Sequence, residues 1–188
     1  MLDQLFNLVR QHAGDAIISN PAIPNEKNEE VINEASNSIT GGLQNMISAG
    51  KVQDVLQMFT GKQDMANNPA ASQISDGFIN NLMNKFGLDR SSAANVSNNL
   101  MPNVLQNMVA KTNDPNDSSF DIQGIFNNLS GGSTSGFNMQ AMLNKLKGVG
   151  LDKDGDGDVD LQDLMKLVSG GDTNSGGGIL DKVKSMLN

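Results

Sequence analysis

The sequence predicts an all-α fold, consisting of a multi-helix domain and a small C-terminal EF-hand-like module. Apolar residues recur at helical spacing along most of the chain, and no strand-like alternation persists. The 188 residues suffice for one sizeable domain and a small appendage. Because the chain has no Trp and no Tyr, its core must come from Leu, Ile, Val, Met and Phe. The eleven Met indicate core filler or an adaptable contact surface.

Two helices are predicted before residue 50. The first carries its apolar stripe over residues 2–9, and a turn-rich loop follows at residues 20–25. All four Glu of the chain lie within residues 26–34, at the start of the second helix, where they favour its dipole. Apolar residues continue that helix over 31–46, with a possible weakness at Gly41-Gly42.

Glycines that disfavour a helix predict the ends of the next two helices. The third helix has its stripe over residues 52–59 and is closed by Gly61. The fourth has its stripe over residues 74–86 and ends at Gly87. Residues 88–91 then form the N-cap turn of a fifth helix.

The fifth helix is predicted over residues 93–110 and contains Pro102. Proline removes a backbone donor, so the helix should kink there or a new helix should begin there. A turn cluster follows at residues 112–117, whose acids we interpret as structural, and a short helix is predicted over 120–129.

A change in composition marks the domain boundary. Twelve of the 20 glycines lie in the last 58 residues. We therefore predict a helical domain over residues 1–131, a Gly/Ser linker over 132–136 and the EF-hand-like module over 137–188.

The most specific motif is the acidic stretch at residues 152–163, which has the spacing of an EF-hand calcium loop. Loop positions 1, 3 and 5 are Asp, position 6 is Gly157, position 8 is Val159 and position 12 is Asp163. The glycine permits the sharp turn that aims the next carbonyl at the ion. The predicted metal-binding residues are Asp152, Asp154, Asp156, Asp158, Asp160 and Asp163.

The last loop position, Asp163, weakens the preference for Ca²⁺ over Mg²⁺. An Asp at position 12 has one methylene less reach than the usual Glu, so a bidentate contact is harder to make. Mg²⁺ accepts fewer protein ligands and keeps water, which makes it a closer competitor. We predict a Ca²⁺ site at which Mg²⁺ can also bind.

The flanks of the loop are asymmetric. A clean apolar stripe over residues 161–168 predicts an exiting helix, whereas Gly148-Val149-Gly150 interrupts the entering one. A short entering helix and an Asp at position 12 also resemble the loop of dockerin modules, which carry two such loops. Only one is found here, so Val159 either pairs across a dimer or the site stands alone.

Composition and charge narrow the classes of function. A net charge of −8 and a pI of about 4.4, with scattered basic residues, argue against a nucleic-acid footprint. No run of apolar residues is long enough to span a membrane, and the N-terminus lacks the basic start of a secretory signal, so we expect a cytoplasmic protein. With no Cys, one imidazole (His12) and no nucleophile or phosphate-loop motif, we expect no enzymatic activity.

Residues 86–102 resemble a recurring pattern of the YidB-like bacterial proteins of unknown function. A Gly-Leu turn leads into an Ala-containing helix and a Leu-Met-Pro element in place of Leu-Leu-Pro. Residues 39–47 also look like that family's Gly-Leu helical repeat, and some members carry a similar Asp-rich loop near the C-terminus. The resemblance implies an all-helical fold with helix-turn-helix-like angles, and it brings no activity.

These observations favour a calcium-binding, non-catalytic helical protein with a structural or interaction role. One alternative is a structural protein that self-associates through Met- and Leu-rich helical faces, and its partner would then be a second copy. A less favoured alternative is a nucleic-acid-binding helix-turn-helix at residues 87–110, near Lys85, Arg90 and Lys111. The sequence does not name a protein partner.

Overall fold

The computed structural model of the chain describes residues 2–60, 64–117 and 119–129. These residues are mainly α-helical and contain no β-strand, which confirms the all-α prediction for this part of the chain. The predicted linker and EF-hand-like module lie outside the described residues. The helices are α1 (Leu2–His12), α2 (Asn28–Ser48), α3 (Val52–Phe59), α4 (Pro69–Phe86), α5 (Arg90–Asn113) and α6 (Ile122–Leu129), with short helical segments at Gly14–Ile18, Asn25–Lys27 and Met65–Asn67.

The hydrophobic core lies around α2, α4 and α5. α2 packs against α1, α3, α4 and α6, while α5 packs against α1, α3 and α4. Within the described residues no helix is long and apolar enough to cross a membrane. Five methionines are buried in this core, so the core-filler interpretation holds for them: Met46, Met58, Met65, Met101 and Met108.

Helices continue through both sites at which the sequence indicated a weakness or an interruption, and of the two alternatives at Pro102 the start of a new helix is wrong. α2 runs through Gly41-Gly42 from Asn28 to Ser48, with Ile39 and Leu43 buried on either side. α5 runs through Pro102 from Arg90 to Asn113, so no new helix starts there. Proline removes one helical hydrogen bond. We attribute the continuity of α5 to its buried apolar face, which offsets that loss.

Two of the predicted helix ends are confirmed. Gly87 ends α4 in the left-handed conformation, with φ of 70°. Asp89 caps α5 by accepting hydrogen bonds from the backbone N–H groups of Ser91 and Ser92. The predicted stop at Gly61 falls outside the described residues. The turn predicted from residue 112 begins later, because Thr112 is buried within α5 and donates a hydrogen bond to the Met108 carbonyl.

Candidate functional site

The sequence-predicted calcium site lies outside the described part of the chain. Asp152, Asp154, Asp156, Asp158, Asp160 and Asp163 all belong to residues 130–188, so the calcium loop stays a prediction. Among residues 2–60, 64–117 and 119–129, no group of three or more His, Asp or Glu side chains could hold a metal ion.

A polar groove between α2 and α4 is the most distinctive surface feature of the described residues. Its volume is about 420 Å³. None of its lining residues is charged: five have amide side chains, three are glycines, one is a serine and one is an isoleucine. We call this surface the amide groove, and its lining residues are Asn37, Ser38, Gly41, Gly42, Asn45, Gln73, Ile74, Gly77, Asn80 and Asn81.

Each helix contributes the same pattern to the groove, an amide, a glycine and an amide at four-residue spacing. On α2 the pattern is Asn37, Gly41 and Asn45, and on α4 it spans residues 73–81 with Gly77 at its centre. Residues four apart lie on one face of a helix, so each set of three forms a single row. A Cβ atom built on Gly41 or Gly77 meets no heavy atom within 4 Å, so both glycines leave space that a side chain could fill.

Two polar contacts set the register of α2 against α4. Lys85 Nζ donates to Glu34 Oε2 at 2.8 Å, and Asn81 Nδ2 donates to Ser38 Oγ at 3.2 Å. The position on α4 falls as the position on α2 rises, so the two helices are antiparallel. The side chain of Glu34 is only 9% exposed. The carboxylate of this ion pair is therefore largely buried, whereas the Lys85 side chain is exposed.

Gly42 follows Ser38 by four residues on the same face of α2 and brings α2 and α4 into close contact. A Cβ atom built on Gly42 would lie 2.8 Å from Ile74 Cγ1 and 3.5 Å from Ile74 Cβ. Real Cβ atoms essentially never show such a distance, so a side chain at residue 42 would force Ile74 or α4 to shift. Gly41 faces the open groove and Gly42 faces the neighbouring helix, although they are adjacent in sequence.

The helix-turn-helix candidate, residues 87–110, begins at the turn between α4 and α5. Asp89 accepts hydrogen bonds from the hydroxyl and backbone N–H groups of both Ser91 and Ser92. The Ser91 hydroxyl contributes most to holding the pKa of Asp89 well below its ordinary value of 3.8. Asp89 therefore stays ionised at the start of α5, where a negative charge favours the helix dipole.

Two of the three basic residues assigned to that candidate are already engaged. Lys85 is paired with Glu34, and Lys111 Nζ lies 2.7 Å from Asp117 Oδ2. The bond from Lys111, followed by that from the Ser119 hydroxyl, lowers the pKa of Asp117 to about 2. This agrees with our interpretation of the acids at residues 112–117 as structural, and it weakens the case for phosphate binding here.

Our reasoning from sequence did not identify the amide groove, although a signal was present. The spacing of an amide, a glycine and an amide occurs on both helices, and a search for four-residue periods among polar residues would have found it. The sequence alone instead indicates a weak point at Gly41-Gly42, because glycine disfavours a helix interior. What the sequence could not show is that the two rows face each other across one groove.

Comparison with known proteins returned no similar family or structure. No protein-family model, no curated protein and no solved structure matches this chain. The resemblance to YidB-like proteins at residues 86–102 stays a prediction.

Proposed function

We propose that this chain is a calcium-binding, non-catalytic helical protein in which the ion orders a C-terminal segment for a structural or interaction role. The observation that carries the proposal is the spacing of residues 152–163. Three alternating Asp, a glycine at loop position 6 and an apolar residue at position 8 meet the requirements of a calcium loop together. A solvated acidic turn needs neither the glycine nor the apolar residue.

The charge of the loop supports the same conclusion. Six Asp and one Lys give it a charge of −5, so the remaining 176 residues carry −3 of the total −8. Six carboxylates within twelve residues repel one another strongly unless a cation lies between them. A bound divalent cation would remove most of that repulsion.

A structural ion fits this loop better than a catalytic or sensing one. A loop that surrounds the ion with protein oxygens leaves little room for a substrate. The interruption at Gly148-Val149-Gly150 and the absence of a second such loop in the sequence also differ from paired calcium sensors. The proposed ion therefore stabilises its own segment locally.

Titration calorimetry with Ca²⁺ and Mg²⁺, together with thermal melts in the presence of a chelator, tests the proposal. Binding to the folded form alone stabilises it by about 2.7 kcal/mol at a hundredfold excess over Kd. We expect Asp152→Asn combined with Asp156→Asn to abolish the binding heat. The matched control is Asp15→Asn combined with Asp76→Asn, which removes the same charge at two exposed positions of the described part.

Limited proteolysis with and without Ca²⁺ then locates the effect. Protection confined to residues 137–170 supports a local structural ion, and protection spread over the whole chain contradicts it. The calcium proposal itself fails if neither ion gives a binding heat and the melting temperature is the same in chelator.

A further inference from the structure

The amide groove is an uncharged surface on a strongly acidic chain. The net charge is −8, yet none of the ten residues that line the groove is charged. Two copies of an acidic chain repel each other over most orientations, and that repulsion is weakest where neutral surfaces meet. The groove is therefore a face where a second copy can approach at low electrostatic cost.

Amide side chains are complementary to themselves. Each Asn or Gln carries two N–H donors and a carbonyl acceptor, so one amide can donate to another and accept from it. A carboxylate or an ammonium group cannot do this, because it only accepts or only donates. The exposed amides Asn37, Asn45, Gln73 and Asn80 give the groove this property on both of its helices.

The arrangement of the rows also suits a two-fold axis. α2 and α4 are antiparallel, and each presents amide, glycine and amide in order, so a half-turn about the groove centre places each row where the other stood. In a two-fold interface the same patch of each copy meets, so that residue i contacts residue j and j contacts i. Because both rows carry the same residue types, amides of one copy face amides of the other. The open space above Gly41 and Gly77 allows the approach of a partner's side chains or backbone at the centre.

We propose that the amide groove is the surface through which two copies of this chain associate, α2 and α4 of one copy meeting α2 and α4 of the other. Stable interfaces bury about 20–30 residues on each side. The groove offers ten lining residues, so the association is weak and concentration-dependent. It does not depend on the calcium loop.

Sedimentation equilibrium of the full chain over a wide concentration range tests this proposal. The wild-type weight-average mass should rise above that of the 19.9 kDa monomer with increasing concentration, equally in Ca²⁺ and in chelator. It should rise further with added salt, because salt screens the repulsion between two acidic chains.

A pair of isosteric variants assigns the association to the groove. Asn37→Asp combined with Gln73→Glu places like charges on both helices of the groove, and we expect this variant to remain monomeric throughout. The control is Asn95→Asp with Gln106→Glu, which changes the net charge equally at exposed amides of α5, a helix without glycine. The control should self-associate to within twofold of the wild-type constant.

A third variant separates loss of association from loss of folding. Gly41→Leu fills the groove with an uncharged side chain at a position whose Cβ meets no neighbour, so the helical signal should be kept while association is lost. The proposal is overturned if the wild type is monomeric at every concentration. It is also overturned if the groove variants associate as strongly as the control.

Discussion

The seam between α2 and α4 and the seam between α4 and α5 use the same helix in different ways. α4 and α5 are joined by only three residues, Gly87 to Asp89, so a short turn brings them together. Their seam includes a hydrogen bond from the buried Ser97 hydroxyl to the Ser75 carbonyl at 3.2 Å. α2 and α4 are held by contacts between residues 43 and 51 positions apart.

This difference shows that local turn chemistry positions one helix pair and long-range contacts position the other. The α4–α5 pair depends on turn chemistry, a left-handed glycine and a capping carboxylate, which are local features. The α2–α4 pair brings together distant segments, so it must overcome a larger loop-closure entropy. It does so with an ion pair in which the Glu34 side is buried, a hydrogen bond from the Asn81 amide to the Ser38 hydroxyl, and a glycine, Gly42, that lets the helices touch.

The largest effect is expected from Gly42→Ala, which breaks the α2–α4 seam at its closest point. A Cβ atom there would lie 2.8 Å from Ile74 Cγ1, and overpacking of this kind costs about 1–3 kcal/mol. Alanine recovers about 0.5–1 kcal/mol of helix propensity. We expect a net loss of about 1–2 kcal/mol in the free energy of unfolding, measured by urea denaturation.

The matched control for this substitution is its neighbour. Gly41→Ala gains the same helix propensity and meets no atom, so it should stabilise the protein by about 0.5–1 kcal/mol. Equal effects of the two substitutions would contradict the close approach of α4 at Gly42.

The second-largest loss of stability is expected from Lys85→Met, which removes the cationic partner of Glu34. Glu34 is largely buried, so it loses a charge-assisted hydrogen bond and keeps its desolvation. Because the Lys85 side chain is 58% exposed, we expect a modest loss of about 1 kcal/mol by chemical denaturation. The double variant Glu34→Met with Lys85→Met should recover most of it, and a double variant no more stable than Lys85→Met would refute this account.

The third effect, on the local seam, is expected from Gly87→Ala. Its φ of 70° lies in the left-handed region, where a Cβ atom costs about 1–2 kcal/mol. Alanine also reduces the conformational entropy of the unfolded chain, which offsets a part of this cost. A net loss of about 1 kcal/mol in the free energy of unfolding is therefore expected in a denaturant titration. Gly77→Ala, in the helical part of α4, is the control and should be neutral or stabilising.

The smallest effect on stability is expected when the pH is lowered. Asp89 and Asp117 have folded-state pKa values below the ordinary 3.8, so their stabilisation is complete above that value and is lost as the pH falls through the folded values. Asp89→Asn retains a capping oxygen but cannot titrate. The variant's melting temperature should fall less steeply than that of the wild type between about pH 4 and pH 2. Identical slopes would show that Asp89 contributes nothing to acid sensitivity.

The sequence predicted those features that depend on neighbouring residues. Helix positions followed from the spacing of apolar residues, and the stop at Gly87 and the N-cap turn at residues 88–91 followed from local turn chemistry. At Pro102 the predicted alternative of a new helix was wrong because it rested on local propensity alone, and α2 likewise continues through Gly41-Gly42. Buried contacts on both sides of those positions offset their local cost.

By itself, the sequence determined the helical character of the described residues, and it predicted one calcium-binding motif. Both are periodic patterns of nearby residues, and the predicted calcium ligands are all contributed by twelve consecutive positions. Only the tertiary structure decided that Gly42 contacts Ile74, that Glu34 pairs with Lys85 and that two amide rows share one groove. These contacts join segments more than 30 residues apart, and their geometry depends on how the helices pack across the whole core.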